Sequence, residues 1–219
     1  MQTQTVEDYL KSIYEIQHRE GRVATTTLAK HMNVTAASVT GMMKKLAGMK
    51  LVTYERHKGV ELTEAGEKIA LEVIRHHRLI ERYLSEALGV PWDQVDAEAE
   101  KWEHVLSDDI ESRIDALLGY PTKDPHGAPI PSREGHIQPS SNTRLTDLGA
   151  GQRAIVVEVS DHDPELLRYL GTMGLYPNVE VSIIDIAPFD GPLTLKIGDE
   201  EYTLGREAAS HILIATLES

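Results

Sequence analysis

Glu100, Glu103 and His104 stand at i, i+3 and i+4 in the stretch Asp96-Ala-Glu-Ala-Glu-Lys-Trp-Glu-His. On a helix, side chains at those spacings share one face. Carboxylates and an imidazole crowded there repel one another and resist burial, and a divalent cation reverses that sign. The chemistry on offer is metal ligation by oxygen and nitrogen. A solvated acidic face with a chance histidine has the same pattern, and spacing alone leaves both open. Glu15 and His18 form an isolated E-x-x-H. A carboxylate-bridged di-metal centre needs two such pairs facing each other, so this one reads as surface. The chain has no cysteine, which removes disulfides, thiolate zinc, iron–sulfur ligation and cysteine nucleophiles. No Ser/His/Asp order, H-E-x-x-H or phosphate loop occurs, so an enzyme is not expected.

A second set of residues has the types that meet DNA. Helix, short turn and helix are predicted over Thr25–Met32, Asn33-Val34 and Thr35 to about Met49, the shape of a helix-turn-helix. Thr35 is a cap by type. Val39, Met42, Met43 and Leu46 form the core stripe. Ala37, Ser38, Thr40, Gly41, Lys44 and Lys45 lie on or beside the opposite face, where small residues admit base edges and lysines meet phosphates. The strands Leu51–Glu55 and Val60–Leu62 then enclose a basic turn, which reads as a wing tipped by Arg56 and Lys58. The net charge of −13 conceals this. Residues 1–62 carry nine Lys/Arg against six Asp/Glu, while 63–140 carry eight against sixteen and 141–219 five against thirteen. Only the first segment suits a phosphate backbone.

The remaining elements have to position these residues. A first helix is expected over Thr5–His18, with Val6, Leu10, Ile13 and Tyr14 on one side and Thr5 as its cap. A long helix follows Thr63 and ends at Gly89-Val-Pro91. It carries His77 and Glu81 as an i, i+4 pair. Two more helices are expected over Asp93–Leu106 and Asp109–Leu118. Tyr120 to Asn142 is rich in Pro and Gly and reads as a loop and domain boundary. Beyond it, β-type runs at Arg153–Val159, Val179–Ala187, Leu193–Ile197, Glu201–Leu204 and Ile212–Leu217, with one helix at Pro164–Leu170, predict a small barrel. The fold class expected is mainly α with β, in three parts: 1–72, a winged helix-turn-helix; 73–140, a helical dimerisation and metal-binding domain with its linker; and 141–219, a small barrel. No stretch approaches the roughly 20 apolar residues of a membrane span. Met1–Asp8 carries no basic or hydrophobic signal, so a cytoplasmic protein is expected.

Several motifs in order resemble the diphtheria toxin repressor family of metal-dependent regulators in its three-domain form. They are E-D-Y-L at Glu7–Leu10, V-T-x-M-x-x-K-L at Val39–Leu46, H-R-L-x-E-R at His77–Arg82, W-E-H-x-x-S-D at Trp102–Asp108 and G-x-P-I-P at Gly127–Pro131. Leu145–Gly151 and Met173–Pro177 resemble the FeoA-type domain of ferrous-iron transport accessory proteins, which implies that the barrel of 141–219 is SH3-like. The resemblance implies a primary metal site of Asp8, Glu100, Glu103 and His104. It also implies an ancillary site of His77, Glu81, Asp96 and Asp163, for which Asp161, His162 and Glu165 are neighbouring substitutes. The iron-responsive branch has Met and Cys where Asp8 and Glu100 stand here, so carboxylates point to Mn²⁺ as the cofactor, with Fe²⁺ possible and Zn²⁺, Co²⁺ or Cd²⁺ able to substitute in vitro. Lys11 stands where two-domain manganese-responsive members have a second carboxylate, which speaks against a binuclear centre. The implied function is a metal-dependent transcriptional repressor of metal-uptake genes. It would act as a homodimer on a palindromic operator in double-stranded DNA, with no membrane or small-molecule substrate as partner. A winged-helix regulator answering to a small organic ligand is the alternative, and a metal-dependent enzyme a more distant one.

Overall fold

The computed structural model describes residues 3–217; Met1, Gln2, Glu218 and Ser219, including the start of the segment read for targeting signals, lie outside it. The chain divides into two compact units. One comprises Met1–His76, Glu103–Leu106 and Pro131–His136, and the other His77–Trp102, Ser107–Ile130 and Ile137–Ser219.

In the first unit, α1 (Gln4–Glu20), α2 (Thr25–His31) and α3 (Ala36–Gly48) precede the hairpin β1 (Val52–Glu55) and β2 (Gly59–Leu62). The helix α4 (Glu64–Leu88) begins here and continues past the division at His76. The apolar stripes of these helices meet in one core. Leu10, Ile13, Leu28, Val39, Met43, Leu46 and Ala70 are all fully buried in it. Thr35 caps α3 by accepting from the Ser38 amide at 3.2 Å, and Thr63 caps α4 by accepting from Gly66 at 3.2 Å. Thr5 lies inside α1 instead of capping it: Thr3 takes the cap position, and its carbonyl accepts from Val6 at 2.7 Å. The hairpin is antiparallel, with Val52 opposite Leu62 and Glu55 opposite Gly59. Gly59 has φ 97°, and a Cβ there would fall 2.4 Å from the Val23 carbonyl oxygen. Glycine is therefore what lets the wing close onto the bridge between Val23 and Val60.

The second unit contains α5 (Val95–Trp102), α6 (Asp108–Leu117), a 3₁₀ turn (Leu145–Asp147), β3 (Arg153–Val159), α7 (Pro164–Thr172), β4 (Glu180–Ile186), β5 (Leu193–Ile197), β6 (Glu200–Leu204), α8 (Arg206–Ser210) and β7 (Ile212–Thr216). The strands form one antiparallel sheet in the order β6-β5-β4-β3-β7, with bulges in β3 and β4. Ala154, Val156, Leu170, Leu175, Val181, Leu193, Leu204 and Ile214 fill its core.

One expected helix is shorter than its pattern. The helix read over Asp93–Leu106 spans only Val95–Trp102, and Glu103, His104 and Val105 form a turn. Ser107 caps α6 in an extended conformation, so the chain must leave one helix before entering the next. Val105, on that turn, is 80% exposed. Among the described residues, no helix is long and apolar enough to cross a membrane.

Candidate metal centres and nucleic-acid interface

The first cluster lies within the first unit. Asp8 sits on the first turns of α1, and Glu103 and His104 on the turn after Trp102. His104 Nε2 is 2.8 Å from Asp8 Oδ1 and 3.3 Å from Glu103 Oε1. Its other nitrogen, Nδ1, is 2.6 Å from Glu7 Oε2. A neutral imidazole carries one N–H. With that proton on Nδ1 and donated to Glu7, Nε2 presents a lone pair to two carboxylates. This is the order carboxylate, histidine, ligand-accepting nitrogen that orients imidazoles at metal sites. Nε2 is buried and makes no hydrogen bond to any described residue. Two carboxylate oxygens and an imidazole nitrogen converging on one space fit a divalent cation of the Mn²⁺ or Fe²⁺ type. Lys11 Nζ lies 2.8 Å from the other oxygen of Glu103, and both side chains are buried.

The second cluster lies within the second unit and is drier. Glu81 on α4 and Asp124 and His126 on the Pro-rich loop are all buried. Gly127, with φ 94°, lets that loop run tight on β3: a Cβ there would fall 2.1 Å from the Val157 carbonyl oxygen. The Val159 amide donates to the His126 carbonyl at 2.9 Å. His126 Nε2 is 2.7 Å from the Trp92 carbonyl, an acceptor only, so the ring proton belongs on Nε2. Nδ1 then faces Glu81 Oε1 at 3.5 Å. Asp124 Oδ1 accepts from the amides of His126 and Ala128 at 2.8 and 2.9 Å. Both Glu81 oxygens, Asp124 Oδ2 and His126 Nδ1 are buried and make no hydrogen bond to any described residue. Native proteins seldom leave four such atoms together. Burial and the Glu81 carboxylate push the Asp124 carboxyl up to about 7, against the pull of Arg78 and His126. Burial would lower His126, but the carboxylates of Glu81, Asp124 and Asp161 and the bond to Trp92 carry it upward. A cation relieves all of these strains at once.

Glu81 also belongs to a second group. His77 Nε2 is 3.6 Å from Glu81 Oε1 and 3.3 Å from Asp96 Oδ1. Glu100, half-exposed on α5, lies 3.7 Å from His77 Nδ1. Asp163 is exposed and caps α7, its Oδ1 accepting from Glu165 and Leu166 at 2.8 and 3.3 Å.

The DNA-facing set is held by α3 and the wing. Ala37, Ser38, Gly41, Lys44 and Lys45 are exposed, while Val39, Met43 and Leu46 hold the opposite side in the core. Thr40 donates its hydroxyl to the Ala36 carbonyl at 2.8 Å. A Cβ on Gly41 would meet nothing within 4 Å, so internal packing gives no reason for glycine there. Arg56 and Lys58 are exposed at the wing tip. Lys58 pairs with Glu55 at 2.6 Å and holds that carboxyl below its ordinary range.

Three family models match in sequence order. They describe an iron-dependent repressor N-terminal DNA-binding domain over residues 1–60, an iron-dependent repressor metal-binding and dimerisation domain over 63–132, and a FeoA domain over 143–216. The iron-dependent repressor IdeR of Mycobacterium tuberculosis is 33% identical over 224 residues, covering 96% of both chains. The chain belongs to the diphtheria toxin repressor family. That family consists of metal-dependent DNA-binding transcriptional repressors, not enzymes. The diphtheria toxin repressor of Corynebacterium diphtheriae is 32% identical over 223 residues, 97% of each chain. Among solved structures, a manganese-dependent transcriptional repressor in complex with manganese superposes with a TM-score of 0.89 at 36% identity, covering 97% of this chain and 100% of that one. ScaR with bound Cd²⁺ superposes at 0.82, with 31% identity and 97% and 99% covered.

For this repressor the structure brings Asp8, Glu103 and His104 together, and separately His77, Glu81 and Asp96. Glu100 faces His77, because the helix ends before Glu103 and the expected common face does not exist. Asp163 stands in no metal-type cluster among the described residues; its lone pairs serve the helix start. Sequence reasoning missed Asp124 and His126. The available signal was an acid and a histidine two apart, Asp124-Pro-His126, inside a loop whose Gly127 implied close packing. It also missed Glu7, whose partner His104 lies far along the chain.

Proposed function

We propose that this repressor uses Mn²⁺ as its corepressor at a primary centre of Asp8, Glu103 and His104, with Glu7 orienting the imidazole. The observation carrying this reading is His104 Nε2, buried without a hydrogen-bond partner among the described residues and facing two carboxylates. The all-oxygen and nitrogen donor set favours a hard ion over the thiophilic ones, and the manganese complex of the similar repressor agrees with it. Bound there, the ion supplies the positive charge that holds the carboxylates together. Glu100 keeps its proposed place as a ligand by motif, though its carboxylate is turned to His77 here.

The route from ligand to DNA runs through α1. Asp8 is followed by Tyr9, Leu10 and Ile13, which are buried in the core that also receives Val39, Met43 and Leu46 of α3. Fixing Asp8 against the Glu103–Leu106 segment therefore limits the motion of the helix on which the recognition helix rests. Thr35, Ala37, Ser38, Thr40, Gly41, Lys44 and Lys45, with Arg56 and Lys58, meet the operator. The dimerisation domain implies a homodimer, and we assign to its interface the exposed apolar side chains Ile110 and Leu117 of α6. Two copies read a palindrome. We assign the ancillary ion to Glu81, Asp124 and His126, with Asp161 nearby, in preference to a set completed by Asp163; His77 and Asp96 lie beside it. The protein acts in the cytoplasm on metal-uptake genes.

The test is fluorescence anisotropy of operator DNA against metal-stripped dimer with and without MnCl₂. Asp8→Ala and His104→Ala should abolish the metal-dependent increase in affinity while light scattering still reports a dimer. Full stimulation of both variants would remove the assignment.

A further inference from the structure

Lys11 projects from α1 into the primary cluster, where its ammonium lies 2.8 Å from Glu103 Oε2. Buried lysines are uncommon and keep their charge only when paired. Here the pair is shared with a ligand: Glu103 turns one oxygen to Lys11 and the other, Oε1, toward His104 Nε2 at 3.3 Å. Around His104 stand three carboxylates, those of Glu7, Asp8 and Glu103. The Lys11 ammonium is thus a fixed cation inside the space that attracts a mobile one.

We propose that Lys11 is an affinity-setting residue, a resident cation that partly neutralises the primary centre and lowers its affinity for divalent metal. This rests on the reading of Asp8, Glu103 and His104 as that centre. A thermodynamic cycle gives the sign. Without metal, removing the ammonium leaves buried Glu103 beside other carboxylates with less compensation, so the metal-free state suffers. With metal present, the ion compensates the same charges, and a like-charged neighbour has gone. Both effects favour binding, and one charge at such range is worth about tenfold or more in affinity. A lysine with only a packing role would shift the stability of both states alike and leave affinity unchanged.

The probe is MnCl₂ on the full-length metal-stripped protein, in a Glu81→Gln background so that only the primary centre is read. Equilibrium dialysis with elemental analysis gives affinity and stoichiometry, and thermal melts give stability with and without ion. In Lys11→Met the dissociation constant should fall about tenfold. Its metal-free melting temperature should drop and its Mn²⁺-saturated one should stay near the control. Lys11→Arg, which keeps the charge, should bind like the control. Unchanged or weaker Mn²⁺ binding by Lys11→Met overturns the proposal, as does an equal loss of stability in both states. If Lys11→Met is unfolded without metal, recovery of the fold by MnCl₂ supports the proposal and failure to recover overturns it. If the control binds no Mn²⁺, or His104→Ala binds as well as the control, the centre itself is misassigned and the role of Lys11 falls with it.

Discussion

Gly41 gives the sharpest separation between stability and function in this repressor. It sits inside α3, where glycine is about 0.8–1.0 kcal/mol less favourable than alanine. It is exposed, has no positive φ, and an added Cβ would meet nothing within 4 Å. Gly41→Ala should therefore stabilise the free protein by about 1 kcal/mol, a rise of roughly 2–4 °C in melting temperature for a chain of this size. The same methyl group points from the face assigned to base edges. If the glycine is there so that backbone and groove approach closely, the methyl must displace the helix from the groove in both half-sites. A tenfold loss per protomer is about 1.4 kcal/mol, and two protomers give about a hundredfold weaker operator binding. Calorimetric melts and operator anisotropy on the same Mn²⁺-saturated preparation measure both. A more stable variant with undiminished affinity would refute the reasoning, because Gly41 would then be only a weak point in a solvent-facing helix.

Asp124 predicts a pH dependence. Its carboxyl rises from 3.8 to about 7 on folding, so the metal-free native state binds more protons than the unfolded chain between those values. Its stabilising share is complete below about pH 4 and is lost as pH rises through 7, at most ~4 kcal/mol. Denaturant melts in chelator should show wild type losing stability relative to Asp124→Asn between about pH 4 and 7; a flat difference would contradict the buried cluster. Asp163 and His126, both in the second unit, should separate cleanly. Asp163→Ala should cost about 1 kcal/mol as a lost helix cap with unchanged metal content, whereas His126→Ala should lose one Mn²⁺ per protomer by elemental analysis. At the wing, Arg56→Ala should lower the salt dependence of DNA binding by about one phosphate contact per protomer. Lys58→Ala should lower it less, because Glu55 at 2.6 Å already holds that ammonium.

What the sequence made legible was local. Thr35 and Thr63 were readable as caps because a cap bonds to amides two or three residues on. The wing was readable because its strands pair across a three-residue turn, and β3, β5 and the helix after Asp163 because their periodicities are short. The end of α5 was not, since Trp102 to Leu106 keeps a helical apolar pattern. What breaks it is the need of Ser107 to start α6 and the pull of buried Glu103 toward Lys11. Asp163 could be read as ligand or cap from its place before Pro164, and only in the fold is its oxygen seen turned to Glu165 and Leu166.

The metal chemistry depends on contacts of the opposite kind. Each proposed centre contains a histidine with one nitrogen held by an acceptor, Glu7 for His104 and the Trp92 carbonyl for His126. The other nitrogen is thereby turned into carboxylates. In both cases the acceptor is far from its histidine in sequence, and in one it is a backbone atom whose side chain gives no clue. Side-chain types at short spacing can thus nominate ligands, but the tautomer that makes an imidazole a ligand is set by the fold. The two acceptors are not equivalent, however. A carbonyl oxygen cannot donate or change its charge, so its hold on the Nε2–H of His126 does not itself vary with pH; Glu7 is ionisable and partly exposed. Glu7→Gln keeps a hydrogen-bonding group but allows the amide to present either its oxygen or its NH₂ to Nδ1. It should therefore weaken Mn²⁺ at the primary centre by about 10–100-fold, the range for lost outer-shell partners, and leave the ion at His126 in place. Equal loss of both ions would mean that Glu7 supports the fold and not the imidazole.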